Sequence, residues 1–135
     1  MSPTPSPADE WLAPLASALK QTSARLCVTG LHGSTAAFVL TSLTSAPALA
    51  SYRNRPWIIV TANNEAAERL FDDLQFCHQL IGAPSDRLTL FPQWETLPYE
   101  ATAPHVGLIA HRMQTLHRLQ TSPDTTLITS VAALM

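Results

Sequence analysis

The sequence predicts an α/β fold in which a parallel sheet carries helices on both faces. Short apolar, β-branched runs alternate with single helical segments at intervals of roughly 30 residues, which is the pattern of βαβ units. The run at residues 57–61 is continuous in apolar residues up to Thr61, as expected for a strand that is covered on both faces. Four strands are predicted, at residues 26–29, 57–61, 87–91 and 126–130. Residues 131–135 either begin another helix or end the pattern. Because domains of this class normally continue after such a strand, we expect an incomplete domain.

Length and composition suit one domain. The chain has 135 residues, of which 46% are hydrophobic, a content typical of globular proteins. Only 13% are charged, against about 25% for an average domain, so we expect further protein to cover part of the surface. The net charge of −2 disfavours direct DNA binding, which needs clustered Lys and Arg. We predict a disordered Pro/Ser-rich tail over residues 1–8 and a single module over residues 9–135.

The lack of a membrane span or signal peptide in the sequence, together with its cysteine usage, predicts a cytoplasmic protein. No apolar run approaches the roughly 18 residues of a membrane span, and the N-terminus lacks the order of a signal peptide. Cys27 and Cys77 fall in a predicted strand and a predicted helix without C-x-x-C spacing. We therefore expect both to be reduced and buried.

Four helices follow from apolar residues at helical spacing. The first begins at Asp9, and the third is capped by Asn63 and ended by Gly82. The residues predicted to be buried are Trp11, Leu12, Leu15 and Leu19 in the first helix, Ala36, Val39, Leu40 and Leu43 in the second, Ala67, Leu70, Leu74, Cys77 and Ile81 in the third, and Val106, Ile109, Met113 and Leu116 in the fourth.

A glycine loop joins the first predicted strand to the second helix, as in a phosphate-binding loop. A working loop reads G-x-x-x-x-G-K-[ST], because the lysine neutralises phosphate and the hydroxyl ligates magnesium. Aligned on Gly30, the pattern puts Thr35 at the second glycine, Ala36 at the lysine and Ala37 at the hydroxyl. The only lysine is Lys20, upstream of the strand. We therefore expect no nucleotide and no other cofactor.

The rest of the loop leaves one alternative open. Backbone N–H groups of Gly30, Gly33 and Ser34 at a helix start could still hold an anion. The other interpretation is a vestigial loop that survives only as part of the fold. The loop residues in question are Gly30, Gly33, Ser34, Thr35, Ala36 and Ala37.

Other polar constellations give weaker signals. His105, His111 and His117 are six residues apart, so each is turned about 120° from the last, and no metal site is expected. Glu95 and Glu100 could do acid/base work, but no nucleophile accompanies them, so we expect loop capping and partner contacts.

Two aromatic residues mark the loop before the fourth helix. Trp94 and Tyr99 are large amphipathic side chains of the kind that anchor interfaces. They could equally cover the edge of the sheet within the domain, and the sequence leaves both roles open.

One long motif carries a family resemblance. Residues 91–100 read F-P-Q-W-E-T-L-P-Y-E, and A-P-H at 103–105 and I-x-x-R-x-x-T-L at 109–116 follow. This run closely resembles the N-terminal module of bacterial transcription-repair coupling factors, and the resemblance extends over residues 26–135. The motif residues that it marks as a possible interface are Trp94, Glu95, Tyr99, His105 and Arg112.

The resemblance carries expectations about fold and function. The module is similar to the first domain of the excision-repair protein UvrB, so it implies a RecA-like phosphate-loop fold, here degenerate. The family is an ATP-driven DNA translocase that displaces stalled RNA polymerase and recruits the excision machinery. Its UvrA-binding, polymerase-binding and motor domains, with their ATP and Mg²⁺, would lie outside this chain. The resemblance thus implies a non-catalytic scaffold module; the alternative is a nucleotide-binding, UvrB-like ATPase fragment.

Overall fold

The computed structural model describes residues 7–21, 25–52, 55–94 and 105–135. Within these ranges the chain is an α/β protein with one small parallel sheet. Its helices and strands, in order, are α1 (Pro7–Lys20), α2 (Thr35–Ser45), β1 (Trp57–Thr61), α3 (Asn64–Leu80), β2 (Leu88–Phe91), α4 (Val106–Thr121), β3 (Thr126–Ser130) and α5 (Val131–Leu134). None of the described helices is long and apolar enough to cross a membrane.

The sheet has the strand order β1–β3–β2, and both pairings are parallel. Ile128 in the central strand pairs with Ile59 on one side and Leu90 on the other. Because every connection between these strands contains a helix, the chain re-enters the sheet in the same direction each time. The parallel arrangement predicted for these three strands is confirmed.

Helices cover the two faces of the sheet unequally. Residues paired in register share a face, so Ile59, Ile128 and Leu90 lie on one face and Leu127 and Phe91 on the other. The first face packs against α3 and α2 in a cluster that includes Ala37, Ala67, Leu74, Cys77, Leu88 and Ile128. On the second face, Phe91 and Leu127 pack with Leu119 of α4 and Ala133 of α5.

The third predicted helix matches the structure closely. Asn63 caps α3, with its side-chain oxygen accepting a hydrogen bond of 2.8 Å from the Ala66 N–H. Ala67, Leu74 and Cys77 are buried as predicted. Ile81 was predicted to continue this stripe but is exposed, because α3 ends at Leu80 and Ile81 occupies the C-cap.

A second core lies between α1 and α2. Leu12 and Ala16 of α1 pack with Val39 and Leu43 of α2 and with Leu49. The helix begins at Pro7, two residues before the predicted start, and proline is tolerated in a first helical turn. Of the predicted tail, residues 1–6 lie outside the described residues.

The first predicted strand is wrong. Residues 25–32 have no strand structure, and Leu26, Cys27 and Val28 are exposed. A strand needs a hydrogen-bonded neighbour, and this segment instead runs beside α1 and α2. An apolar cavity of about 290 Å³ lies there, lined by Leu26 and Val28 together with Leu15, Leu19, Leu43 and Trp57. The buried position expected for Cys27 is therefore also wrong, whereas Cys77 is buried.

The apolar stripe predicted to bury α4 is exposed. Val106, Ile109, Met113 and Leu116 all face outward, and the helix packs through Leu108, Arg112, Thr115 and Leu119. Part of the reason is polar, because the sheet presents buried Thr89 to this helix. Its hydroxyl lies 3.3 Å from that of Thr115, which is also buried. The apolar stripe predicted from the periodicity exists, but it does not pack against the sheet as predicted.

Candidate functional site

The glycine segment forms a tight turn that hydrogen bonds to the His32 carbonyl close. Gly30 and Gly33 have φ of 81° and 56°, left-handed values that favour glycine. The His32 carbonyl accepts both the Thr35 N–H at 3.2 Å and the Thr35 hydroxyl at 2.6 Å. Ser34 stands at the N-cap of α2, and its side chain makes no capping bond. The Thr35 hydroxyl is thus already engaged within the turn.

The two alanines at the signature positions have different surroundings. Ala36 is partly exposed and lines the apolar cavity next to α1. Ala37 is fully buried in the core cluster with Ala67 and Leu74. A hydroxyl at position 37 would enter this apolar cluster, which would cost free energy unless it found a hydrogen bond.

Arg112 is the centre of the other candidate site. Its guanidinium carbon lies 4.0 Å from the centre of the Phe91 ring and 4.3 Å from that of the Trp94 ring. The same group donates hydrogen bonds to the Pro92 carbonyl and, at 3.4 Å, to the Ala133 carbonyl. Arg112 therefore ties α4 to the end of β2, to the residues that follow it and to α5.

The contacts of Arg112 also stabilise its positive charge. Burial lowers the pKa of its guanidinium, but arginine stays charged at every accessible pH. Two aromatic faces and two backbone carbonyls stabilise the charge. These contacts leave the group less available to a phosphate than a free surface arginine would be.

The structure brings together part of the predicted motif. Trp94 stacks on Arg112, and 41% of its surface remains exposed, so it serves the domain and still presents a surface. His105 caps the helix that carries Arg112, its Nδ1 accepting the Gly107 N–H at 3.2 Å. Glu95 and Tyr99 lie outside the described residues, as does Glu100.

Sequence reasoning missed the partners of Arg112. The sequence places Phe91 in a strand and in the motif, and Ala133 in a helix, but it does not indicate that both contact this side chain. The spacing of Phe91 and Trp94 around Pro92 was the available signal. It puts two aromatic rings within reach of one cation, but only the packing of α4 shows which cation.

The carboxyl ends of the strands are closed by internal hydrogen bonds. In open α/β sheets this edge is the usual ligand site. Here the Thr129 hydroxyl donates to the Phe91 carbonyl at 3.1 Å, and the Thr61 hydroxyl lies 3.1 Å from the Thr129 carbonyl and 2.8 Å from the Asn63 carbonyl. Among the described residues, no three His, Cys, Asp or Glu side chains are grouped as metal ligands.

Comparison with known proteins gives a consistent partial match. The chain is 35% identical over 81 residues to the transcription-repair-coupling factor of Escherichia coli, which covers 59% of this chain and 6% of that protein. The protein of the same name from Mycobacterium tuberculosis is 33% identical over 90 residues, covering 62% and 7%. The protein of that name from Rickettsia bellii is 31% identical over 72 residues, which cover 53% of this chain and 6% of that protein. No family profile matches the chain. The matched segment thus spans only a small part of these relatives.

Proposed function

We propose that this chain, which matches transcription-repair-coupling factors over more than half of its length, is a non-catalytic scaffold module of such a factor. In this role it supports transcription-coupled nucleotide excision repair from the cytoplasm. UvrA, RNA polymerase and DNA are then reached through other domains of the longer protein. ATP and Mg²⁺ belong to the motor domains rather than to this chain.

The observation that carries the non-catalytic part is the environment of position 37. Ala37 takes the place of the magnesium-binding hydroxyl and is fully buried against Ala67 and Leu74. Ala36 takes the place of the lysine, and the chain has no lysine after Lys20. Without these groups, triphosphate meets only a helix N-terminus, which supplies about half a unit charge. This favours a degenerate phosphate loop over a nucleotide-binding ATPase fragment.

The observation that supports a scaffold is the Arg112 cluster. It joins α4, the end of β2 and α5 through one side chain, and three of its neighbours belong to the F-P-Q-W motif. Because these motif residues contact one another within the domain, we infer that the motif maintains the structure of the module. The exposed part of Trp94 is then available to neighbouring domains.

A chimera tests this role. The segment of the E. coli factor that matches this chain is replaced by the corresponding residues of this chain, and repair of the transcribed strand is measured in cells lacking the native factor. We expect repair close to that of the native factor, and loss of it when the chimera also carries Arg112→Ala. A folded, normally expressed chimera without transcribed-strand repair would contradict the scaffold proposal.

A further inference from the structure

The N-terminus of α4 is capped by an imidazole. His105 occupies the N-cap with φ of −59° and ψ of 128°, and its Nδ1 accepts the Gly107 N–H at 3.2 Å. The His105 carbonyl accepts the N–H groups of Leu108 and Ile109 at 2.9 and 3.3 Å. The usual capping residues are Ser, Thr, Asp and Asn, whose oxygens accept hydrogen bonds throughout the neutral pH range. An imidazole nitrogen differs from them because it takes up a proton near neutral pH.

Gly107 is the residue that lets the imidazole approach the backbone. A Cβ atom at position 107 would lie 3.0 Å from the His105 Nδ1 and 3.2 Å from its Cε1, which is closer than the optimum for non-bonded heavy atoms. A residue with a side chain would therefore push the ring away from the N–H that it accepts. His105 and Gly107 thus act as one unit, which we call the His105–Gly107 cap.

We propose that the His105–Gly107 cap is a pH-sensitive switch at the start of α4. A neutral imidazole with its proton on Nε2 can accept the Gly107 N–H at Nδ1, whereas a protonated imidazole carries hydrogens on both nitrogens and cannot accept it. Proton uptake also places a positive charge at the positive end of the helix dipole. The cap therefore forms where imidazole is neutral and opens as the pH falls from about 7.5 to about 5.5.

The charged groups around the cap do not oppose this opening. The other ionisable side chains of α4 are all basic: His111, Arg112, His117 and Arg118. The elements against which α4 packs are β2, β3 and α5, and they contain no ionisable side chain. No ion pair within the described residues includes His105. In this part of the chain, a protonated His105 gains no carboxylate partner that would offset the lost cap.

The opening is confined to the first turn of α4. Arg112 lies about two turns further along the helix, and its guanidinium is stacked on the Phe91 and Trp94 rings. We therefore expect Val106 and Gly107 to fray at low pH while the rest of α4 stays in place.

Urea unfolding of the chain at about pH 7.5 and about pH 5.5 tests the proposal. Between these values the urea midpoint should fall by roughly 0.5 M more in wild type than in His105→Asn, whose amide oxygen caps the helix at both. His111→Asn replaces another exposed histidine of α4; it is the matched control and should show the wild-type fall. Gly107→Ala displaces the imidazole, so its fall should match that of His105→Asn.

The amide resonance of Gly107, followed by ¹⁵N NMR, gives a local measurement. In wild type the amide proton should move upfield as the pH falls, together with the titration of the His105 ring, because its hydrogen bond is lost. In His105→Asn it should not move. If His105→Asn is unfolded, His105→Ser replaces it, since serine also caps helices.

Three results would overturn the proposal. The first is a urea midpoint that falls equally in wild type and His105→Asn. The second is a wild-type midpoint that falls less than that of the variant, as a carboxylate bound to the protonated imidazole would cause. The third is a Gly107 amide that does not titrate with the His105 ring. The inference is independent of the proposed function, because the chimera assay measures repair and not the cap of α4.

Discussion

Replacement of Arg112 should destabilise the domain, because this side chain contacts two aromatic rings and two backbone carbonyls. Arg112→Ala removes two cation–π contacts, each worth about 0.5–2 kcal/mol, and two charged hydrogen bonds of about 1.5–3 kcal/mol each. These contacts share one group and are not additive, so we expect a loss of about 3 kcal/mol in the free energy of unfolding. Arg112→Lys keeps the charge but loses the planar stacking and one carbonyl contact, and should cost about 1–2 kcal/mol.

Urea unfolding followed by far-ultraviolet circular dichroism measures both losses. Arg69→Ala is the control, because the ion pair of Arg69 with Glu65 on α3 is exposed, and such pairs contribute little. If Arg112→Ala costs less than about 1 kcal/mol, or if Arg112→Lys is as stable as wild type, then Arg112 does not hold the three elements together.

Three further changes probe the fold. Asn63→Ala should lower the free energy of unfolding by about 1 kcal/mol, since it removes the cap of α3; a urea midpoint equal to wild type would refute this. Trp94→Ala should cost about 1–2 kcal/mol, less than loss of a fully buried tryptophan, because 41% of its surface is exposed; an unchanged stability would make Trp94 a pure interface residue. Burial, with a smaller contribution from Asp73, raises the pKa of the Cys77 thiol. The unfolded thiol therefore ionises first, so stability should fall as pH rises above about 8.5, and Cys77→Ala should show a smaller fall.

The parts of the fold that the sequence predicted have strong local causes. The parallel strands at Trp57–Thr61 and Thr126–Ser130 follow from apolar and β-branched residues, with helices in every connection between strands. The coverage predicted for both faces of the first of these strands is wrong, because Ile58 and Val60 are exposed. The limits of α3 follow from a capping asparagine and a stripe that is buried on one side. In each case the residues that determine the element are close together in the sequence.

The wrong predictions have a common physical origin. Each concerns a contact with a distant part of the chain, which the local sequence pattern does not specify. Residues 26–29 have strand composition but no ladder partner in the described part of the chain. The row beginning at Val106 is apolar, yet α4 turns Thr115 to the sheet because Thr89 offers it a hydrogen bond. Periodicity identifies an apolar face but not what covers it.

For the candidate site, the sequence indicated some of the residues but not their contacts. The motif singled out Trp94, His105 and Arg112, and the structure places Trp94 against Arg112 and makes His105 a helix cap. The contact of Arg112 with Ala133 joins residues 21 positions apart and depends on how α4 packs. No spacing rule encodes such a contact.

The most direct test of the central claim, a phosphate-loop scaffold without nucleotide chemistry, is isothermal titration of the chain with Mg-ATP. The charge of the triphosphate meets no lysine at position 36 and no hydroxyl at position 37, so the account predicts no binding up to about millimolar ATP. Ala36→Lys, at a partly exposed position, restores one cation and shows whether the loop still has phosphate-binding geometry. Micromolar binding of Mg-ATP by the wild-type chain would contradict the scaffold account and favour the nucleotide-binding alternative.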